Sequence, residues 1–123
     1  MKNILNFLLL IFFTQISFAQ KPNTKLVAKK NEINLSFEPK MRGIEVNNVT
    51  YYIEKDMETV SAYENGKIKW QTNIISVCGK PGVGKPEVRC LKIKGEILQV
   101  VFGKHSFANV NINNGKTEFI GSD

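Results

Sequence analysis

The chain has 123 residues, 42% of them hydrophobic, and 17 lysines and arginines against 11 acidic residues give it a net charge of +6. This length accommodates one domain and excludes a multidomain enzyme. About a quarter of the hydrophobic residues lie in the first 19 positions. The rest of the chain therefore has a low hydrophobic content for a domain that must bury a core.

Residues 1–19 have the pattern of a secretory signal peptide. Lys2 precedes an apolar run from Ile4 to Phe13, and the small residues Ser17 and Ala19 occupy positions −3 and −1 of a cleavage site. A membrane anchor is the alternative, but the run is half of the roughly 20 apolar residues that a span requires. We therefore predict an exported protein, periplasmic or extracellular, without an integral span in the mature chain. Cleavage removes Lys2 and lowers the net charge from +6 to +5.

Residues 20–31 are polar and basic and predict a flexible arm, whereas residues 32–123 predict a single all-β domain. Short runs of β-branched and aromatic residues alternate with turn residues, and Asn65-Gly66 is the strongest hairpin signal. No stretch after the signal peptide keeps a helical period. We expect a small antiparallel sheet of consecutive hairpins, arranged as a sandwich or a barrel. The predicted strands are Ile33–Phe37, Ile44–Val46, Val49–Glu54, Thr59–Glu64, Lys67–Cys78, Val88–Lys94, Ile97–Phe102, Phe107–Asn113 and Thr117–Ile120.

Residues 51–70 and 100–119 align as a weak internal repeat. Each copy holds a turn, a strand, an Asn-Gly turn and a strand that closes on an aromatic residue. The segment from Val60 to Trp70, VSAYENGKIKW, resembles the blade signature of β-propellers named for pyrroloquinoline-quinone enzymes, and the segment from Val110 to Phe119 fits it more loosely. The resemblance implies two propeller-like blades, although a propeller needs four or more. The quinone-binding residues have no match, so no cofactor is predicted.

Two cysteines, Cys78 and Cys90, follow the predicted signal peptide. In a small exported domain such a pair is most simply one disulfide. In the chain-entropy model a loop of this length contributes about 3 kcal/mol. A metal site would need more ligands than two cysteines and His105, the one histidine, supply. We therefore predict a disulfide and no metal.

The loop from Gly79 to Pro86 superficially matches a phosphate-binding loop. That loop needs a Ser or Thr after its lysine and a helix start, whereas Pro86 follows Lys85 and a strand is predicted next. A turn at the tip of a disulfide-linked hairpin accounts for the glycines and prolines equally well.

The same hairpin concentrates positive charge and predicts a patch for an anionic partner. Only Glu87 opposes this charge, and lysines that protect an exposed strand edge are the alternative explanation. An interleaved aromatic platform is lacking, so nucleic acid is not an expected partner. The predicted patch comprises Lys80, Lys85, Arg89, Lys92 and Lys94.

Two other groups of polar residues are weaker candidates for a metal site or a catalytic site. Glu54, Asp56 and Glu58 are spaced to share one strand face and bind Ca²⁺, but a solvated turn explains them too. His105 follows Lys104 in a turn and is paired with no evident nucleophile. No catalytic residue is predicted.

These features predict a non-catalytic exported β domain that binds an anionic envelope component, a glycan or a protein through exposed loops and the basic hairpin. Two alternatives remain open. One is a partial propeller that completes itself by oligomerisation. The other is an inhibitor of secreted enzymes that inserts the loop from Gly79 to Pro86 as a wedge.

Overall fold

The computed structural model describes residues 20–123, so the predicted signal peptide lies outside the described residues. This part of the chain is mostly β, with a 3₁₀ turn at Thr24–Leu26 and one short helix, α1, at Ile74–Cys78. The strands are β1 Val27–Ala28, β2 Glu32–Asn34, β3 Gly43–Val46, β4 Val49–Ile53, β5 Thr59–Glu64, β6 Lys67–Asn73, β7 Val88–Lys94, β8 Ile97–Phe102, β9 Ser106–Asn111 and β10 Thr117–Ser122.

The strands form two five-stranded sheets that share one core. The first sheet has the order β1-β3-β4-β5-β6 and the second has the order β10-β9-β8-β7-β2. All pairs are antiparallel except β1 with β3. The all-β class and the consecutive hairpins are therefore confirmed. Neither sheet closes on itself, so a closed barrel is not the arrangement.

The two copies of the predicted repeat, residues 51–70 and 100–119, fall on the last three strands of two four-stranded meanders, β3 to β6 and β7 to β10. In the first meander the Asn65-Gly66 turn has φ of 53° and 75°, as a two-residue hairpin turn of type I′ requires. In the second meander the turn is longer, and the side chain of Asn114 accepts a hydrogen bond from the backbone N–H of Lys116 at 2.8 Å. The two copies therefore share strand order but not turn geometry.

The long strand predicted over residues 67–78 is wrong in its second half, where β6 gives way to α1. The side chain of Asn73 accepts a hydrogen bond from the N–H of Ser76 at 2.9 Å and caps the helix. Gly79, with φ of 89°, ends it. The apolar residues at the start of α1 are buried in the core, so tertiary packing outweighs the strand preference of their β-branched side chains.

The segment 20–31, for which composition predicts a flexible arm, contains the short strand β1. Its strand β1 pairs with β3, and the carbonyl of Leu26 accepts a hydrogen bond from the N–H of Arg42 at 2.8 Å. At the start of the segment, the side-chain carbonyl of Gln20 accepts a hydrogen bond from the side-chain amide of Gln71 at 3.0 Å. A polar segment adds to the sheet here because its backbone groups find partners on β3, which composition does not reveal.

Trp70 joins the two meanders across the core. Its indole Nε1 donates to the carbonyl of Ile112, in the turn between β9 and β10, at 2.7 Å. Its ring packs on that of Tyr51, with 6.1 Å between the ring centroids. The neighbouring hydroxyl of Thr72 donates to the carbonyl of Gly115 at 2.8 Å. The turn that ends the second repeat is thus attached to the last strand of the first.

Candidate functional site

The predicted disulfide is absent, and Cys78 and Cys90 are both free. Cys78 ends α1, which packs against β10, and its side chain contacts the core. Cys90 lies on β7 opposite Val101 and out of phase with the buried Leu91, so it points away from the core. Strands β9 and β8 also separate β10 from β7, a distance of about 14 Å, whereas a disulfide needs Cα atoms within about 7 Å.

Burial sets the chemistry of the two thiols. Desolvation raises the pKa of Cys78 above its ordinary value. Desolvation also raises the pKa of Cys90, a shift that the charge of Arg89 opposes and that of Glu32 reinforces. Because the thiolate is the reactive form, both groups are poor nucleophiles at neutral pH.

The five residues of the predicted patch do not come together. Lys92 faces solvent on β7 beside β2, and its Nζ lies 3.8 Å from the Glu32 carboxylate. Lys94 ends the same strand, about 16 Å along β7 from Arg89 at a rise of about 3.3 Å per residue. Lys80 lies on the loop after α1 and does not line the groove described next. Only Lys85 and Arg89 of the predicted set lie in one place.

Lys85 and Arg89 instead share a groove with Lys104 and His105, which come from the turn between β8 and β9. The groove has a volume of about 490 Å³, and Ser36 and Gly84 also line it. We call these four side chains the basic groove. Glu87 is the acidic residue along its wall.

The backbone brings the two parts of the basic groove together. The N–H of Gly103 donates to the carbonyl of Glu87 at 2.9 Å, and the N–H of Lys104 donates to the carbonyl of Val83 at 2.9 Å. These bonds hold the loop 79–87 against the turn between β8 and β9. The loop is therefore anchored along its length rather than free at its tip.

Two glycines permit this close approach. A Cβ on Gly103 would lie 2.4 Å from the Cβ of Pro81, and a Cβ on Gly84 would lie 2.6 Å from the backbone N of Lys104. Both glycines also have positive φ, 61° and 89°, where an L side chain is strained. Backbone packing therefore explains the glycines that superficially match a phosphate-binding loop, and strand β7 follows them rather than a helix.

Arg89 completes the groove by clamping the turn. Its Nε donates to the carbonyl of Gly103 at 2.8 Å and its Nη2 donates to the carbonyl of Lys104 at 2.6 Å. Its Nη1 also donates to the Sγ of Cys90 at 3.8 Å. A guanidinium has five N–H donors, so donors remain for a ligand after these three bonds. Because two carbonyl groups orient its guanidinium, Arg89 supplies a cation that is held in place in the groove.

Lys104 and His105 were missed as site residues because they follow the basic hairpin, ten and eleven positions beyond Lys94. The register of the hairpin formed by β7 and β8 would have identified them. Val88 pairs with Phe102 across β7 and β8, so the residues just after Phe102 must lie beside those just before Val88. Extending that register predicts the contact between the two basic segments.

The acidic residues Glu54, Asp56 and Glu58 do not form a calcium site. Asp56 accepts hydrogen bonds from the N–H groups of Glu58 and Thr59 and from the Thr59 hydroxyl, at 2.7 to 2.9 Å, so it shapes the turn. Among residues 20–123, no cluster of three or more His, Cys, Asp or Glu side chains could hold a metal ion.

Glu54 serves a network on the outer face of the first sheet. Its carboxylate accepts from the Ser61 hydroxyl at 2.6 Å and from the Tyr63 hydroxyl at 2.5 Å. Gln71 also donates to the Ser61 hydroxyl, at 2.8 Å. Burial, followed by the hydrogen bond to Glu54, raises the pKa of Tyr63 well above its ordinary value. The network stabilises the neutral phenol and presents no activated nucleophile.

Comparison with known proteins adds no assignment. No protein-family model matches the chain, and neither does any curated protein. Within residues 20–123, no helix has the length and apolar character that crossing a membrane requires.

Proposed function

We propose that the protein is an exported, non-catalytic β domain that binds an anionic envelope component through the basic groove. The observation that carries the proposal is the juxtaposition of Lys85, Arg89, Lys104 and His105 on a backbone held by hydrogen bonds. Phosphate and carboxylate groups, on lipid headgroups or on acidic glycans, are the ligands that such side chains recognise.

We expect the basic groove to bind an anion more tightly than the same charged side chains would on a mobile loop. Arg89 is oriented by two carbonyls, and the backbone that carries Lys104 is bonded to the loop that carries Lys85. Holding the cations in place before binding lowers the entropy lost when the ligand arrives. Glu87 lies in the groove wall and favours ligands that keep their negative charge toward the lysines and the arginine.

Vesicle binding tests the proposal. Each lysine near an anionic surface contributes about 1 kcal/mol, so replacing Lys85 and Lys104 by Ser should weaken binding to phosphatidylglycerol vesicles about tenfold to thirtyfold at low salt. The matched control replaces the exposed Lys25 and Lys55, which lie outside the groove, and should leave most of the binding intact. Neutral phosphatidylcholine vesicles should bind neither form.

A polyanionic glycan such as heparin forms the second arm of the experiment. If the groove recognises glycan rather than lipid, the same variants should lose retention on heparin while vesicle binding is weak throughout. Equal losses in the groove variant and the control on both materials would show that net charge alone acts, and would refute a specific groove.

We further propose that the two sheets form a sandwich rather than two propeller blades. A blade has four strands, whereas β1 and β2 each add a fifth strand beside the first strand of a meander. The inhibitor alternative has less support, because the loop proposed as a wedge is bonded to the turn between β8 and β9.

A further inference from the structure

Both sheets end on the same side of the molecule with a long outer strand. Strand β6 ends the first sheet and β10 ends the second. Helix α1, which directly follows β6, packs against β10. Within residues 20–123, no strand pairs with the outer edge of either one. The opposite side ends in β1 and β2, which are only two and three residues long.

The backbone of β10 is ready to pair along its outer edge. The carbonyl of Lys116 accepts from the N–H of Asn111 on β9. Because antiparallel bonding alternates along a strand, the N–H and C=O groups of Thr117 and Phe119 point away from β9. Proteins usually protect such an edge with lysine or proline, and β10 contains neither. A bulge between Phe119 and Gly121 interrupts the regular register of β10 with β9.

Exposed apolar side chains gather on this same side. Ile68 belongs to β6, Val77 to α1, and Phe119 and Ile120 to β10, and all four are exposed. They represent most of the large exposed hydrophobic side chains found between residues 20 and 123. Clustered apolar surface beside an open strand edge is typical of an interaction surface.

The two outer strands carry opposite charge. Lys67 and Lys69 lie on β6, which has no acidic residue, whereas Glu118 lies on β10 and Asp123 directly follows it, with no basic residue between them. All four side chains are exposed. Pairing β10 with a second β10 would bring acidic residues together, but pairing it with β6 brings opposite charges together.

We propose that two copies of this chain form a two-fold symmetric dimer in which β6 of each copy pairs with β10 of the other. Because both edges lie on one side, a single two-fold axis between the sheets, parallel to the strands, creates both pairings. Each sheet then continues into the opposite sheet of the partner. The exposed apolar side chains of β6, α1 and β10 become covered, and no open edge longer than three residues remains.

Charge reversal tests this pairing by analytical ultracentrifugation of the purified protein. The wild type should sediment as a dimer at about 100 µM, and Lys67→Glu with Lys69→Glu should raise the dimer dissociation constant at least about tenfold. Adding Glu118→Lys and Asp123→Lys to that variant should restore the dimer, because opposite charges face each other again. Restoration also shows that the reversed residues do not simply prevent folding.

The control reverses the exposed Lys25 and Lys30, which changes the net charge equally but lies beside β1, at the opposite end of the first sheet from β6, and it should remain dimeric. A wild type that is monomeric at 100 µM overturns the proposal. So does a four-residue variant that stays monomeric. Neutralising the acidic residues alone, with Glu118→Gln and Asp123→Asn, would strengthen an antiparallel β10–β10 dimer by removing like-charge repulsion but should weaken the pairing of β6 with β10, so a strengthened dimer also contradicts the proposal.

Discussion

Gly115 supports the contact between the two meanders, and a single methyl group there should disturb it. A Cβ on Gly115 would lie 2.7 Å from the Cδ2 and Cε3 atoms of the Trp70 ring. The ring cannot move away easily, because Trp70 is buried and its Nε1 donates to Ile112 at 2.7 Å. Gly115→Ala should therefore displace the indole and weaken that hydrogen bond.

The expected loss in the free energy of unfolding has two parts, and comparison with the variant Gly66→Ala separates them. Both glycines have nearly the same positive φ, 76° for Gly115 and 75° for Gly66, and an L residue there costs about 1 kcal/mol. A Cβ on Gly66 meets nothing within 4 Å, so Gly66→Ala should lose only that amount. Overpacking against Trp70 adds about 1 to 3 kcal/mol, giving a total of about 2 to 4 kcal/mol for Gly115→Ala.

Urea unfolding followed by tryptophan fluorescence measures both variants, because Trp70 is the one tryptophan of the chain. At roughly 5 °C per kcal/mol for a domain of this size, Gly115→Ala should also melt about 5 to 15 °C below Gly66→Ala. Native emission should shift to the red in Gly115→Ala alone. Equal free energies of unfolding for the two variants would refute the argued packing of Trp70 on the turn.

Three further predictions concern the groove, the tyrosine network and the thiols. Gly103→Ala should destabilise the protein and weaken anion binding, whereas Gly95→Ala, at nearly the same φ of 62° but with open space around it, should cost about 1 kcal/mol and leave binding unchanged. Because the pKa of Tyr63 is raised on folding, its contribution is complete below pH 10 and is lost as the pH rises further. Tyr63→Phe should therefore be about 1 kcal/mol less stable than the wild type at pH 8, and urea unfolding should show this gap narrowing above pH 10. Thiol titration of unreduced, denatured protein should find both Cys78 and Cys90 free, whereas the absence of titratable thiol together with a mass gain of two hydrogen atoms on reduction would reveal a disulfide and contradict the structure.

The hairpins could be predicted because their information is local. A run of β-branched residues, a turn with an Asn-Gly pair and a second such run lie within about fifteen residues, and Thr59–Glu64 and Val88–Lys94 were predicted with their observed bounds. Pairing between distant segments carries no such signal. The parallel pairing of β1 with β3 depends on backbone groups that any polar sequence possesses, so the composition of residues 20–31 could not predict it.

The helix and the missing disulfide share one cause. Residues 74–78 have strand-forming side chains, but the chain must pass from the first sheet to the second here, and Asn73 and Gly79 supply the cap and the stop. That crossing leaves Cys78 beside the core while Cys90 points away from it. The two cysteines lie twelve positions apart in the sequence. That separation contains no information about which side of the sheet each cysteine would face.

The candidate site was predicted only in part for a related reason. Charge counted along the hairpin included Lys92 and Lys94, which alternate onto a solvent face of β7, and omitted Lys104, which the register brings beside Lys85. The density of charged residues along the sequence therefore overestimates how many of them cluster when they lie on one strand. It underestimates the clustering of charged residues that come from two neighbouring turns. Register, which sets the partner of every residue in a hairpin, is the better guide to clustering.

The weak repeat shows how equivalent positions acquire different functions within one fold. The Asn-Gly turns of the two meanders align in sequence, yet Gly66 faces open space and Gly115 lies under Trp70. At Gly66 only the backbone conformation favours glycine, whereas at Gly115 both the conformation and the lack of space for a side chain do. Trp70 itself has Phe119 as its counterpart, and that residue is exposed on β10 rather than buried between the sheets. The aromatic position that joins the meanders in the first copy thus lies, in the second copy, at the edge where we propose that a partner binds.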